Sequence, residues 1–376
     1  MKRIAIILLL TAFCAQFVFS QQNLQIIKSD SIVIDVQVDN VLYKKAWRIS
    51  SEIKPDIFEI SSAQVTFYTN RDSISFNVEP DGIYDFVILL NEKDSAYTQI
   101  KYKPTRLEML KKANEYDYND KRFIPKFTYQ TPDDADLVRI RQKFKLDSVA
   151  GKGSEILQIL NLMHWVHNTV RHDGNSENPN PLNIESIIKV CKEENRGVTC
   201  RMIATAMNEC YLAMGIKSRF VTCMPKETNF DDCHVINMVY SNGLGKWIWI
   251  DAEFDAYVMN EKGELLSIEE VRQRLINDKP LILNPDANWN RNFLKTKNDY
   301  LDEYMAKNLY RFQTQMVSEY NAETSEQGKE ITYIELLPLD GIEQEPQKNE
   351  TESKNSGVKW IEYKTNNPEL FWAKPD

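Results

Sequence analysis

The sequence predicts an α+β protein: a small all-β domain, then a domain in which helices pack on an antiparallel sheet. Three observations predict it. Of 376 residues, 42% are hydrophobic, 27% charged and 11% aromatic, which excludes disordered, collagen-like and disulfide-dense classes and suggests two or three domains. From Gln21 to about Tyr102, short runs rich in β-branched and aromatic residues alternate with turn chemistry. Beyond about residue 135, apolar residues recur at helical spacing, and strand-like runs follow them.

The first twenty residues read as a leader. Lys2 and Arg3 precede the continuous apolar run Ile4–Leu10, and Val18 and Ser20 stand at −3 and −1 before Gln21. This is the anatomy of a cleaved secretory signal, so a periplasmic, extracellular or cell-surface location is expected. A lipid anchor through Cys14 is the weaker reading, because Phe13 stands where a small residue is wanted. No later run is apolar enough to span a bilayer. Lysine and arginine total 46 against 55 acidic residues, a net charge of −9. That argues against a nucleic-acid surface.

Residues 21–103 are expected to form a β-sandwich-like domain. Its strands are Ser31–Val38, Gln64–Thr69, Ser73–Val78 and Tyr84–Leu90, with Asn70–Asp72 and Pro80–Gly82 as turns. It contains neither cysteine nor histidine, so a structural or docking role is expected. Residues 104–134 form a connector, with a short helix over Arg106–Glu115 and interruptions at Pro125 and Pro132. The domain expected over 135–320 opens with a helix near Ser154–Thr169, with apolar residues Ile156, Ile159, Leu160, Met163, Val166 and Val170 close to helical spacing. A second helix, Cys200–Met214, carries the stripe Ile203, Met207, Cys210 and Met214 and ends at Gly215. Strands follow at Ser218–Thr222, His234–Tyr240 and Trp247–Asp251. Ser267–Glu270 is a capping box for a helix to about Ile276, and a further helix is expected near Asp299–Phe312. Residues 321–376 read as an extension: Gln344–Gly357 as an acidic mobile loop, Phe371 and Trp372 as a tail docking back. No internal repeat appears at the usual periods.

Five cysteines remain once the leader is gone: Cys191, Cys200, Cys210, Cys223 and Cys233. An odd number in an oxidising compartment leaves at least one thiol unpaired, and the spacing does not choose a pairing. Cys200 is the one expected to be free. A zinc site built on them is the weaker reading, because no pair is spaced CxxC and the intervals are irregular. Thr199 is a plausible N-cap, placing Cys200 in the first turn of an apolar helix. Unpaired N–H groups and the positive helix end there favour a thiolate and could hold an oxyanion. His234 begins one strand and Asp251 closes the next, joined by the turn-forming segment Ser241–Lys246. A two-residue Asn242-Gly243 loop sets His234 directly opposite Asp251; a loop longer by two makes them diagonal neighbours on the same face. Either way the carboxylate can orient the imidazole. His164 and His167 stand three apart on the earlier helix, with His172 just beyond, but no HExxH or third carboxylate accompanies them. They are expected to line the cleft edge or the helix surface, and no metal is expected. No phosphate-cradling glycine loop and no EF-hand loop is present, so no cofactor is implied.

Gly197-Val198-Thr199-Cys200 on a helix, His234 on a strand and Trp249-Ile250-Asp251 on the next resemble the transglutaminase-like superfamily over about Ser154–Tyr257. The resemblance implies a papain-like α+β core and a Cys-His-Asp triad. Cys200 would be the nucleophile, His234 the general base and then acid, and Asp251 the orienting carboxylate. It also implies a protein or peptide substrate, attacked at an amide bond through a thioester. Transglutaminases proper often carry Gly-Gln-Cys-Trp where this chain has Val-Thr-Cys-Arg, which leaves hydrolysis open beside cross-linking. The competing expectation is a binding or surface-interaction module that keeps the fold without turnover.

Overall fold

The computed structural model describes residues 24–61, 63–113, 116–230 and 232–376. The leader expected over 1–20, with Cys14, lies outside the described residues. The chain divides after Pro104 into two compact units. No helix of the described residues is long and apolar enough to cross a membrane.

Among the described residues the first unit contains eight strands: β1 (Gln25–Ser29), β2 (Val33–Val38), β3 (Val41–Arg48), β4 (Asp56–Ile60), β5 (Gln64–Tyr68), β6 (Ser73–Asn77), β7 (Ile83–Leu90) and β8 (Asp94–Tyr102). They form two four-stranded sheets, ordered β1-β7-β8-β4 and β3-β2-β5-β6. Side chains alternate along each strand, so Ile34 and Val36 of β2 and Phe86, Ile88 and Leu90 of β7 point into one shared core. Phe67 sits at its centre, its ring 5.0 Å from that of Phe58 and 5.2 Å from that of Phe86. The sheets are not wholly antiparallel: β1 runs parallel to β7, and β4 to β8. Parallel neighbours need a long crossover, and intervening strands of both sheets provide it.

The second unit is the α+β body. Its first seven helices among the described residues are α1 (Arg106–Lys111), α2 (Ala135–Lys143), α3 (Leu146–Ala150), α4 (Glu155–Thr169), α5 (Ile184–Glu193), α6 (Cys200–Ala213) and α7 (Ile268–Ile276). Seven strands make one sheet in the order Lys246–Ile250, His234–Ser241, Ser218–Met224, Arg311–Gln315, Glu330–Leu336, Lys359–Thr365, Lys348–Glu352. Neighbours are antiparallel except Glu330–Leu336 and Lys359–Thr365, which run parallel.

Helix α6 lies between the strands Ser218–Met224 and His234–Ser241 and the helices α2, α4 and α5. Its one apolar stripe understates its burial, for every residue from Met202 to Ala213 is buried. The polar residues among them are each held. Thr205 Oγ1 donates to Arg201 O (2.9 Å), Asn208 Nδ2 donates to Ser318 Oγ (2.8 Å), and Glu209 accepts the N–H groups of Ile184 (2.7 Å) and Asn321 (2.9 Å). A helix enclosed on all sides is a rigid mount for whatever its first turn carries.

Three expectations are corrected toward the C-terminus. The helix expected over Asp299–Phe312 ends early: a π-helical stretch, Asn298–Met305, passes into Ala306–Asn308, and Arg311–Gln315 is a central strand. Phe312 is buried inside the sheet there, and that burial outweighs local helical spacing. Within the loop expected over Gln344–Gly357, Lys348–Glu352 forms the edge strand. Its ladder uses main-chain groups only, all five side chains stay exposed, and Glu350 pairs with Lys359 at 3.1 Å. Third, the residues after 320 are no appendage, for they supply three of the seven strands. The tail packs back on the sheet: Phe371 is fully buried, and Trp247 Nε1 donates to Trp372 O at 3.1 Å.

Candidate active site

The position of Cys200 is set by its upstream neighbours. Val198 N donates to Arg171 O (2.9 Å) and Asp173 N donates to Val198 O (2.8 Å), which zips this segment to the chain leaving α4. The approach is close: a Cβ on Gly197 would lie 2.6 Å from Asp173 Cβ and 2.8 Å from the His172 carbonyl carbon, so glycine is required here. Thr199, in extended geometry, is the N-cap, and Cys200 is the first residue of α6. Arg201 then anchors the helix start, with Nη1 2.5 Å from Glu323 Oε1 and Nη2 2.9 Å from Thr222 Oγ1. Cys200 itself is half-buried against Ala204, Phe220 and Val235.

His234 and Asp251 meet, in the diagonal register. Ser241 pairs with Lys246, so the hairpin loop has four residues rather than two. Glu155, in the first turn of α4, explains the longer loop: it accepts from the Ser241 hydroxyl (2.6 Å) and from Asn242 N and Gly243 N (both 2.9 Å). His234 Nε2 lies 2.7 Å from Asp251 Oδ2, and both side chains are shut off from solvent. Oδ2 also accepts the Tyr300 hydroxyl at 2.5 Å, while Oδ1 accepts Glu253 N (2.9 Å) and Phe254 N (3.3 Å). The Asp251 main chain exchanges two 2.9 Å hydrogen bonds with Ala256, closing a tight turn. Burial opposes charge on His234, but the Asp251 carboxylate, its hydrogen bond, Cys200 and Glu253 outweigh it, so the imidazole is held well above its ordinary value.

Glu253 is the residue that sequence reasoning missed. Cys200 Sγ, a ring nitrogen of His234 and a Glu253 carboxylate oxygen lie within 4.8 Å of one another. Glu253 Oε2 is 3.7 Å from His234 Nδ1, and neither atom has a hydrogen-bond partner among the described residues. Oε1 accepts Trp289 Nε1 at 3.1 Å and lies 3.3 Å from His172 Nδ1. Burial pushes the Glu253 carboxyl up to about 7, against the attraction of His234. Burial, reinforced by the charge of His234, pushes His172 down to about 4. A signal was available: the longer hairpin loop, extended by two positions, aligns residue 253 with residue 234.

The remaining histidines do not share a metal as a pair on α4. His167 is buried, with Nδ1 3.1 Å from Ala252 O and Nε2 3.1 Å from Asn288 Oδ1, whereas His164 Nδ1 is 2.5 Å from Asp255 Oδ2. The four histidines of the chain therefore all touch the turn Asp251–Ala256: His234 at Asp251, His167 at Ala252, His172 at Glu253 and His164 at Asp255. All five described cysteines are free thiols. Cys223 pairs across the sheet with His234, and burial pushes the thiols of Cys210, Cys223 and Cys233 up.

This arrangement can pair a half-buried thiol with an imidazole whose far nitrogen is fixed by a buried carboxylate, which is the geometry of nucleophile activation. Comparison with curated proteins returns no match. Among solved structures, a Cytophaga hutchinsonii protein provisionally described as a cysteine protease aligns at 22% identity and a TM-score of 0.24, over 31% of this chain and 37% of that one. The chain thus spans little more than a third of that protein's length. Residues 142–252, the segment that carries Cys200, His234 and Asp251, match the family model of the transglutaminase-like superfamily.

Proposed function

We propose that this chain is an exported cysteine enzyme that opens amide bonds of proteins or peptides through a thioester on Cys200, ending in hydrolysis or in acyl transfer. One observation carries the reading: His234, fixed through Nε2 by the buried Asp251 carboxylate at 2.7 Å, stands beside the thiol at the start of α6. The thiolate attacks the amide carbonyl while N–H groups of the first turn of α6 receive the developing oxyanion. His234 Nδ1 gives a proton to the leaving amine, and the thioester remains. Water or a second amine, deprotonated by the same nitrogen, then takes the acyl group and frees Cys200. Asp251 keeps its charge throughout and holds the ring in one tautomer. Export is part of the proposal and rests on the leader expected over 1–20.

The test is a peptide library incubated with the purified chain and with Cys200→Ala, followed by mass spectrometry, with and without an added primary amine. Cleaved or amine-tagged peptides that disappear in Cys200→Ala support the reading, and the amine arm separates hydrolysis from transfer. Turnover that persists in Cys200→Ala removes Cys200 as the nucleophile. An inert chain that still retains peptides favours the binding module.

A further inference from the structure

The turn after Asp251 carries a second cluster that the proposed chemistry does not use. His164 on α4, Asp255 in the turn and Asp286 each offer one ligand atom, and these three atoms lie within 4.8 Å of one another. The arrangement is held from behind: Asn284 Nδ2 donates to Asp286 Oδ1 and to Asp255 O, both at 2.8 Å. Asp255 is 1% exposed; its Oδ2 lies 2.5 Å from His164 Nδ1, while Oδ1 has no hydrogen-bond partner among the described residues. Buried carboxylates are normally hydrogen-bonded, because an unsolvated charge is costly. Burial dominates at Asp255 and raises its pKa, while His167 and His164 attract its charge and the Asp286 carboxylate repels it. A histidine and two carboxylates converge there from three chain segments, and one buried carboxylate oxygen is left without a partner among the described residues.

We propose that His164, Asp255 and Asp286 bind one divalent cation of the zinc type, with water on the solvent side where His164 and Asp286 are exposed. One imidazole with two carboxylates suits zinc better than calcium or magnesium, which prefer all-oxygen shells. Nitrogen and oxygen ligands at roughly 2.0–2.2 Å from a tetrahedral zinc stand roughly 3.5 Å apart, so the His164–Asp255 pair, at 2.5 Å without the ion, would open by about 1 Å to admit it. His167 takes no part, because both its ring nitrogens face protein oxygens. The ion ties α4 to the turn that bears Asp251 and Glu253, so it is a structural clamp beside the thiol site. The inference does not rest on the proposed reaction.

The test is calorimetric titration of zinc chloride into the full chain carrying Cys200→Ser, which removes the thiol from the neighbouring Cys200–His234–Glu253 group. The same titration follows on this background with His164→Ala and with Asp286→Ala. Both added changes are at exposed positions, and circular dichroism confirms the fold. One zinc per chain is expected, with affinity weakened at least about tenfold by either change. Zinc should raise the melting temperature of the parent and not of the His164→Ala protein. Absence of binding in the parent, which means a His164–Asp255 ion pair only, overturns the proposal. Equal affinity in all three proteins overturns it as well, because the ion then sits elsewhere.

Discussion

Replacing Asp251 by asparagine removes one charge and almost no volume. The amide oxygen can keep the two main-chain hydrogen bonds from Glu253 and Phe254 that Oδ1 now accepts. The amide nitrogen then faces His234 Nε2, where a carboxylate oxygen stood at 2.7 Å. An NH2 group cannot accept, so it donates to Nε2 and forces the ring proton onto Nδ1. The ring is then neutral and its proton sits on the nitrogen that must serve the thiol. By analogy with serine triads, turnover should fall about 10⁴-fold, and iodoacetamide should label Cys200 more slowly. Stability should change with a definite sign. The folded pKa of His234 is raised, so its contribution is complete below the unfolded value of about 6.5 and fades as pH rises through the higher folded value. Breaking a buried pair of this kind costs about 3 kcal/mol. Urea denaturation should therefore separate wild type from Asp251→Asn by about that much near ~pH 6 and by less near ~pH 9. Equal separation at both pH values, with Cys200 labelling unchanged, would refute the imidazolium–carboxylate pair.

Gly197→Ala should destabilise the chain by about 1–3 kcal/mol, because the new Cβ meets Asp173 Cβ at 2.6 Å and main-chain atoms of His172 and Arg171 within 2.9 Å. Chemical denaturation measures the loss, and slower Cys200 labelling should accompany it as the start of α6 shifts. Glu253→Gln should stabilise the protein at alkaline pH. The folded carboxyl titrates at about 7, so its contribution is present below its lower unfolded value and is lost as pH rises through 7. Near ~pH 8 the glutamine variant should exceed wild type by about 3 kcal/mol, with little difference near ~pH 5. A variant equal to wild type at both pH values would mean that Glu253 is not held proton-hungry by burial.

The features legible in the sequence are those written in local chemistry. The Cys200 helix was visible because Thr199 precedes an apolar run and Gly215 follows it. The capping box at Ser267–Glu270 marks α7 at its observed start. His234 and Asp251 could be placed on one face because strand side chains alternate strictly, and only the loop length was open. That length depends on Glu155, which sits more than eighty residues away and has no local signature. Glu253 stayed hidden for the same reason, since its role follows from the register. The helix α5 went unseen although Asn183 caps it; it lies in the stretch that leads to Cys200. The edge strand Lys348–Glu352 could not be seen because its pattern is uniformly polar, and only a neighbouring strand makes it a strand. Likewise Arg311–Phe312 read as helix until the sheet claimed it.

The gathering of every histidine at one turn gives this protein an unusual spectroscopic handle. The chain has no fifth imidazole, so a nitrogen-15 spectrum of its histidine rings reports on Asp251–Ala256 and its immediate surroundings. The four rings would read four addresses along that turn: His234 on Asp251, His167 on Ala252, His172 on Glu253 and His164 on Asp255. Zinc entering near His164 would broaden or move one signal first, whereas an acyl group on Cys200 would move those of His234 and His172. One titration of isotope-labelled protein could thus watch the proposed zinc site and Cys200 side by side.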